Sequence, residues 1–300
     1  MDHKKLKSEN TKLVIAISSR ALFNLDQSHK IFKEEGIEAY AKHQQENEQV
    51  ILEPGVGFTL VKKLLKLNSK KTPIDVILLS RNSADTGLRI FNSIEHYDLN
   101  ISRAAFTRGE STHPFVGAFE ADLFLSSNYN DVQKALQSGY AAASIVESKS
   151  NNSHPSQLRI AFDGDAVIFS DEAERIFQEK GLEAFHENEI LSEKIELKAG
   201  PFKSFLVSLQ KIQSTFPEED NPIRTALVTA RSAPSHRRVI HTMREWGIRI
   251  DESFFLGGLE KGVFLRQFAA DIFFDDQQQH CKSASQYVPT GHVPSGIKNS

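Results

Sequence analysis

The sequence predicts an α/β protein with a mainly parallel sheet, built from two similar units. Three observations lead to this prediction. Short apolar, β-rich runs alternate with amphipathic stretches of helical period, which is typical of a parallel sheet with crossover helices. A polar stretch, residues 148–157, interrupts the chain near its middle. The pattern before that stretch then begins again after it.

The first unit shows the alternation in order. Residues 13–17 form a buried-strand pattern, and Asp26 precedes an amphipathic helix that ends near Gly36. Further β-rich runs cover residues 75–79 and 122–125, each followed by a polar break and a helical pattern. We therefore expect a first domain over residues 1–150 and a second over 151–300, since 300 residues suit one large or two smaller domains.

The repeat is almost residue by residue. Residues 15–21 align with 160–166 at a spacing of 145 residues, and Gly36 aligns with Gly181. After the loop at residues 216–221 the spacing becomes 149, and there Arg89 aligns with Arg238. One change of register over more than a hundred aligned residues indicates an ancient duplication of one α/β unit.

Composition excludes several classes of function. The formal net charge of −3 gives no polycationic surface for nucleic acid. The single cysteine, Cys281, permits no intrachain disulfide. The sequence shows neither a signal-peptide pattern nor an apolar run near the ~20 residues of a membrane span. We expect a cytoplasmic protein without nucleic-acid or membrane partners, and the sequence leaves a homo-oligomer open.

Chemically active residue types follow the β-rich runs of the second unit. These residues are Asp163, Gly164 and Asp165 after the first run, Thr229, Ala230 and Arg231 after the second, Lys261 in a glycine-rich stretch, and Asp275 and Asp276 after the last. Ligands of parallel sheets bind at the carboxyl ends of the strands, so these groups should converge. Several carboxylates close together need a cation, and hard oxygen ligands favour Mg²⁺. The hydroxyl and the ammonium suit phosphate oxygens.

This ordered set resembles the haloacid dehalogenase-like (HAD-like) phosphatase superfamily. More closely, residues 162–167 (Phe-Asp-Gly-Asp-Ala-Val) and 229–234 (Thr-Ala-Arg-Ser-Ala-Pro) resemble the cytosolic 5'-nucleotidase type I family. Residues 18–23, 79–82, 91–97 and 273–277 belong to the same likeness, which covers roughly residues 12 to 297. The resemblance implies a HAD-like Rossmannoid parallel sheet, and Mg²⁺-dependent hydrolysis of nucleoside 5'-monophosphates, AMP being the usual substrate.

The resemblance also implies roles. Asp163 would be the nucleophile, and Asp165 the acid/base that lends its backbone carbonyl to Mg²⁺. Thr229 and Lys261 would hold the phosphoryl group, and Asp275 and Asp276 would complete the metal site. We expect Gly164, Ala230 and Arg231 to line the substrate, although Arg231 could instead pair with a carboxylate. A small helical insert at about residues 171–215 would screen the site.

The first unit lacks the carboxylates of this set. Ser18 stands in the place of Asp163, Arg20 in that of Asp165, and Ser126 and Ser127 in those of Asp275 and Asp276. We expect no catalysis there. Arg20, Arg81 and Asn82 are expected to serve nucleotide binding or regulation, either on their own face or while covering the catalytic face of the second unit. The alternative is that these polar residues only cap loops.

Two other functions remain open at this point. One is a phosphatase for a different small phosphomonoester, such as a sugar phosphate. The other is a non-catalytic nucleotide-binding sensor that kept the fold. The complete motif set of the second unit argues against the sensor.

Overall fold

The computed structural model describes residues 12–148 and 154–299. One ten-stranded sheet runs through both halves of the chain, with the strand order β3-β2-β1-β4-β5-β10-β9-β6-β7-β8. The strands are β1 (Leu13–Ser18), β2 (Ile74–Ser80), β3 (Arg103–Phe106), β4 (Leu123–Ser126), β5 (Ala141–Val146), β6 (Leu158–Phe162), β7 (Ile223–Thr229), β8 (Glu252–Phe255), β9 (Ile272–Asp275) and β10 (Thr290–His292). The mixed α/β architecture with a mostly parallel sheet confirms the predicted Rossmannoid class.

Helices form the crossovers between the strands. They are α1 (Ser19–Leu22), α2 (Asp26–Glu46), α3 (Phe58–Leu67), α4 (Leu88–His96), α5 (His113–Ala118), α6 (Tyr129–Gln137), α7 (Glu172–Leu191), α8 (Lys203–Gln213), α9 (His236–Glu245), α10 (Gly262–Phe268) and α11 (Gln278–Ala284). Amphipathic helices such as α4 and α9 turn an apolar face toward the sheet, which buries Ile90 and Val239. Among the described residues, no helix combines the length and the apolar composition that a membrane span requires.

The two halves of the sheet share one topology. The order 3-2-1-4-5 in the first half corresponds to 8-7-6-9-10 in the second. The bounds of β2, β3 and β4 match those of β7, β8 and β9 at the 149-residue spacing, and α2 and α3 begin within a residue of α7 and α8 at the 145-residue spacing. The helix pair predicted as an insert at about residues 171–215 is α7 and α8, so it has a counterpart in the first half rather than being special to the second.

The halves meet at the pair β5–β10, which is antiparallel, whereas every other described pairing in the sheet is parallel. The strands of the two halves therefore run in opposite directions. The half-sheets are staggered, because the register places Ser126, at the end of β4, on the same row as Asp275, at the end of β9. The carboxyl ends of both halves thus lie on one row across the sheet. Four strands separate β1 from β6, which places the end of β1 roughly 24 Å from the end of β6, at about 4.8 Å per strand spacing.

Reciprocal polar contacts join the halves. Asp271, just before β9, accepts two hydrogen bonds from Lys63 of α3 at 2.7 and 2.8 Å. Asp122, just before β4, accepts one from Ser208 of α8 at 2.8 Å. Lys63 also donates to the carbonyls of His154 and Gln157, at the end of the polar stretch. The predicted domain boundary, between residues 150 and 151, lies outside the described residues.

Candidate functional site

Asp163 lies directly after β6, in the centre of the second half-sheet. Its backbone N–H donates to Phe274 O at 2.7 Å, and one carboxylate oxygen accepts from Gly164 N at 2.7 Å. The chain leaves the strand here because residues 164–168 form a tight helical turn with Ala166 at φ 60°. The side chain is buried at the carboxyl end of its strand, as the sequence predicts.

Lys261 joins two carboxylates of the site. Its Nζ lies 2.9 Å from Asp163 Oδ1 and donates to Asp275 Oδ2 at 2.6 Å. Burial alone would lower the pKa of Lys261, but the two carboxylates outweigh it and raise that pKa. Lys261 is therefore a buried, permanently charged ammonium just before α10.

Asp275 and Asp276 end β9 on the same side. Burial opposes the charge on Asp275, but Lys261 and His280 outweigh it and hold the pKa of Asp275 at about 2. Burial, with Asp163 and Asp275 nearby, raises the pKa of Asp276 to about 10. Burial, with Asp275 and Asp165 nearby, raises the pKa of Asp163 to about 7, although Lys261 opposes this rise. Three buried carboxyl groups thus lie together with one buried ammonium, which contacts two of them.

A cation fits this arrangement. Both carboxyl oxygens of Asp276 are buried and have no hydrogen-bond partner among the described residues. Ligand atoms of Asp163, Asp275 and His280 all lie within 4.8 Å of one another. Buried polar atoms normally have partners, so an acidic group without one indicates a missing positive charge. The cluster could hold a metal ion.

Thr229 ends β7 beside this cluster. A Cβ built on Gly164 would lie 3.2 Å from Thr229 Oγ1, so the glycine lets the turn after Asp163 approach the hydroxyl closely. Thr229 Oγ1 accepts from Arg231 N at 3.2 Å, and Ala230 lies exposed between them. The structure therefore brings the predicted phosphate-binding hydroxyl to the carboxylates.

Arg231 pairs with carboxylates, which was one of the two alternatives for it. Its guanidinium donates to both oxygens of Asp165, at 2.8 and 2.7 Å, and its remaining nitrogen donates to Glu189. Glu189 also accepts from Arg238 at 2.8 Å. All but Asp165 are buried. This network connects the predicted acid/base to α7 and α9.

The sequence did not predict Glu189 as a residue of the site. It lies within a helix rich in charged residues, where a buried carboxylate looks like its solvated neighbours. The repeat carried the only available signal. At the 145-residue spacing Glu189 matches Gln44, which is also buried and accepts from Arg89, the counterpart of Arg238.

Arg20, Arg81 and Asn82 do not reach this cluster. They lie at the carboxyl ends of β1 and β2, whose direction is opposite to that of β6. Arg81 forms a bidentate pair with Asp131 at 2.9 and 2.7 Å. Among the described residues no contact joins these side chains to the Asp163 cluster, so their binding of a nucleotide, on their own face or over the catalytic face, stays a prediction.

Comparison with known proteins agrees with the site. The sequence profile of the 5'-nucleotidase family, described as "5'-nucleotidase", matches residues 5–300. The chain belongs to this family. It is 40% identical over 288 residues to human "Cytosolic 5'-nucleotidase 1B", which covers 91% of this chain and 47% of that protein. The chain thus spans about half the length of this curated relative. No solved structure shows a significant match.

Proposed function

We propose that the protein is a Mg²⁺-dependent 5'-nucleotidase that hydrolyses nucleoside 5'-monophosphates, AMP above all, to nucleoside and phosphate. The observation that carries this proposal is the convergence of Asp163, Lys261, Asp275 and Asp276 within a chain of the 5'-nucleotidase family. The name of the human relative supports the same activity.

Mg²⁺ would be held by Asp163, Asp275 and Asp276, together with the backbone carbonyl of Asp165. All of these are hard oxygen ligands, which Mg²⁺ prefers. When bound, the ion supplies positive charge beside the phosphate and lets neighbouring carboxylates stay ionised. Lys261 supplies the permanent part of that charge, because its pKa is raised and it contacts Asp163 directly.

The protein's own groups carry the bond changes. A carboxylate oxygen of Asp163 attacks phosphorus, and the ester P–O bond breaks as Asp165 gives a proton to the leaving 5'-oxygen. Asp165 then takes a proton from water, which attacks the phosphorus of the aspartyl-phosphate and releases inorganic phosphate and the Asp163 carboxylate. Thr229 and Lys261 orient the phosphoryl oxygens throughout.

The ion pair with Arg231 affects the first of these steps. Both carboxylate oxygens of Asp165 accept hydrogen bonds from the guanidinium, so neither is available to carry the proton that the leaving 5'-oxygen takes up. The acid step needs a proton on Asp165, and therefore a loosened pair. We assign Arg231 to the substrate side, where the phosphate attracts it away from Asp165 while Glu189 keeps hold of its other nitrogen.

A second proposal concerns the origin of the two halves. We infer that the halves arose by duplication of one HAD-like unit, with residues 1–150 as the degenerate copy and 151–300 as the catalytic copy. Identical half-sheet orders and the two constant spacings support this origin. The helices α7 and α8 would cap the catalytic copy, and the cytoplasm is the proposed location.

A phosphate-release screen tests the function. AMP, IMP, CMP and sugar phosphates would be compared at equal concentration, with Mg²⁺ and with EDTA. Release from AMP that requires Mg²⁺ supports the proposal. Faster release from sugar phosphates would assign another phosphomonoester, and no release from any substrate would favour a non-catalytic sensor.

A further inference from the structure

A cavity of about 760 Å³ opens at the carboxyl ends of the strands of the first half. Its floor includes Ser18, Arg20 and Asn82, and its wall includes Phe32 and Tyr40 of α2. It occupies in the first half the place that the Asp163 cluster occupies in the second. None of the residues assigned above to hydrolysis lines it.

The second half has a similar apolar wall at matched positions. The matched pairs are Phe32 with Phe177, Ile37 with Leu182, and Tyr40 with Phe185. The phenylalanines are 45% and 48% exposed, and the aliphatic residues 61% and 55%. The aromatic pairs meet edge to face in both halves, with ring centroids 6.0 and 6.4 Å apart. Each helix also bends at a matched glycine, with φ of 89° at Gly36 and 82° at Gly181.

A bent helix with solvent-exposed apolar side chains at matched positions indicates a shared ligand group. In the second half we assign this wall to the nucleoside of the substrate, since the Phe185 ring lies under the guanidinium of Arg231, which pairs with Asp165. The first half preserves the wall, so it should receive a similar flat, apolar ring. This step rests on the proposed function.

The floor differs in charge. The second half places carboxylates at Asp163 and Asp165, whereas the first half places Ser18 and Arg20 there. The first half thus has the positive charge of Arg20 at the place where the second half would need a bound metal ion. A phosphate could bind here without Mg²⁺.

Two buried donors on this floor lack acceptors. Arg20 Nε and Asn82 Nδ2 are both buried and have no hydrogen-bond partner among the described residues. Tyr40 OH donates to Asn82 Oδ1 at 2.8 Å, which leaves the amide nitrogen as the free end. Buried donors without acceptors are costly, and anionic oxygens would satisfy both.

We propose that the first half is a second binding site, for a nucleoside phosphate that it holds without metal and does not hydrolyse. The ring packs on Phe32, Ile37 and Tyr40, and the phosphate oxygens accept from Arg20 and Asn82. Hydrolysis is absent because Ser18 stands where the nucleophilic carboxylate would be, and no carboxylate replaces Asp165.

Binding of a non-hydrolysable adenosine 5'-phosphonate to the full chain in EDTA tests this site. Isothermal titration should show binding without Mg²⁺. Arg20→Asp, which gives the first half the carboxylate of the second, should weaken it at least about tenfold. Asn82→Leu should also weaken it. Arg244→Ala, an exposed arginine of α9, is the matched control and should bind like the wild type. Circular dichroism of each variant confirms folding.

The outcomes separate this inference from the proposed function. Mg²⁺-free binding that neither Arg20→Asp nor Asn82→Leu weakens would overturn the second site, even if the enzyme hydrolyses AMP. Equal affinity for inorganic phosphate and for the phosphonate would overturn its nucleoside part. A protein that shows the Arg20-dependent binding and yet releases no phosphate with Mg²⁺ would instead overturn the proposed activity.

Discussion

Replacing Glu189 with glutamine tests whether the buried network beside Asp165 organises the second half. Glu189 accepts from both Arg231 and Arg238, and all three side chains are buried. Glutamine has nearly the same shape, but it offers one carbonyl oxygen and one NH₂ group. One of the two arginines would then face a donor instead of an acceptor.

The structure sets the size of the effect. Removing one partner from a buried ion pair costs about 3–5 kcal/mol. Here each arginine keeps another partner: Arg231 keeps Asp165, and Arg238 keeps Ile195 O at 2.9 Å and Glu172 at 3.1 Å. We therefore expect a loss at the lower end, about 3 kcal/mol in the free energy of unfolding.

Urea denaturation followed by circular dichroism measures that loss. Glu193→Gln is the matched control, since Glu193 pairs with Arg237 and His241 over 3.4 and 3.6 Å nearer the surface. It should cost under about 1 kcal/mol. A Glu189→Gln protein as stable as the Glu193→Gln control would refute the view that this network supports the site.

Two further predictions concern the carboxylate cluster. The pKa values of Asp163 and Asp276, raised mainly by burial to about 7 and about 10, lie above the usual unfolded value of about 3.9. Protonation of these groups therefore stabilises the metal-free fold at low pH, and that contribution is lost as pH rises through 7 and then 10. Calorimetry in EDTA should show a lower Tm at pH 8 than at pH 6. Adding Mg²⁺ should raise Tm more at pH 8 than at pH 6. An equal rise at both pH values would contradict the role of the carboxylate cluster in holding the metal ion. Lys261→Met removes the ammonium between Asp163 and Asp275 and should lower kcat for AMP roughly 100-fold or more. The control Lys282→Met changes an exposed lysine and should leave kcat at the wild-type value. Equal kcat values in both variants would argue against Lys261 as a phosphoryl ligand.

Local patterns in the sequence were sufficient to predict the strand ends of the second half. Apolar runs that stop at Asp163, Thr229 and Asp275 place these residues at carboxyl ends, and parallel pairing then brings them together. The family resemblance was also confirmed by the comparison with known proteins. These predictions succeed because each depends on a few consecutive residues.

The relation between the halves could not be predicted in the same way. It depends on the antiparallel pairing of β5 with β10. The strand β10 has three residues in a Pro- and Gly-containing tail, so it carries no strand signal of its own. From the sequence alone, Arg20 and Arg81 could lie on their own face or over the catalytic face. The pairing reverses the first half and sets the end of β1 roughly 24 Å from the end of β6.

The role of Glu189 was hidden for a related reason. Its burial results from Arg231 and Arg238, which are more than forty residues away along the chain. Helical periodicity cannot identify a buried ion pair whose partners come from different elements.

Phosphate release from AMP by Asp163→Asn tests the central claim most directly. Asparagine preserves the shape of the side chain but removes the nucleophilic carboxylate, so release with saturating Mg²⁺ should fall by at least about 1,000-fold. The exposed Asp220→Asn should retain wild-type release, and matched circular dichroism spectra would exclude misfolding. Release by a folded Asp163→Asn protein within tenfold of the wild-type rate would contradict the assignment of Asp163 as the nucleophile.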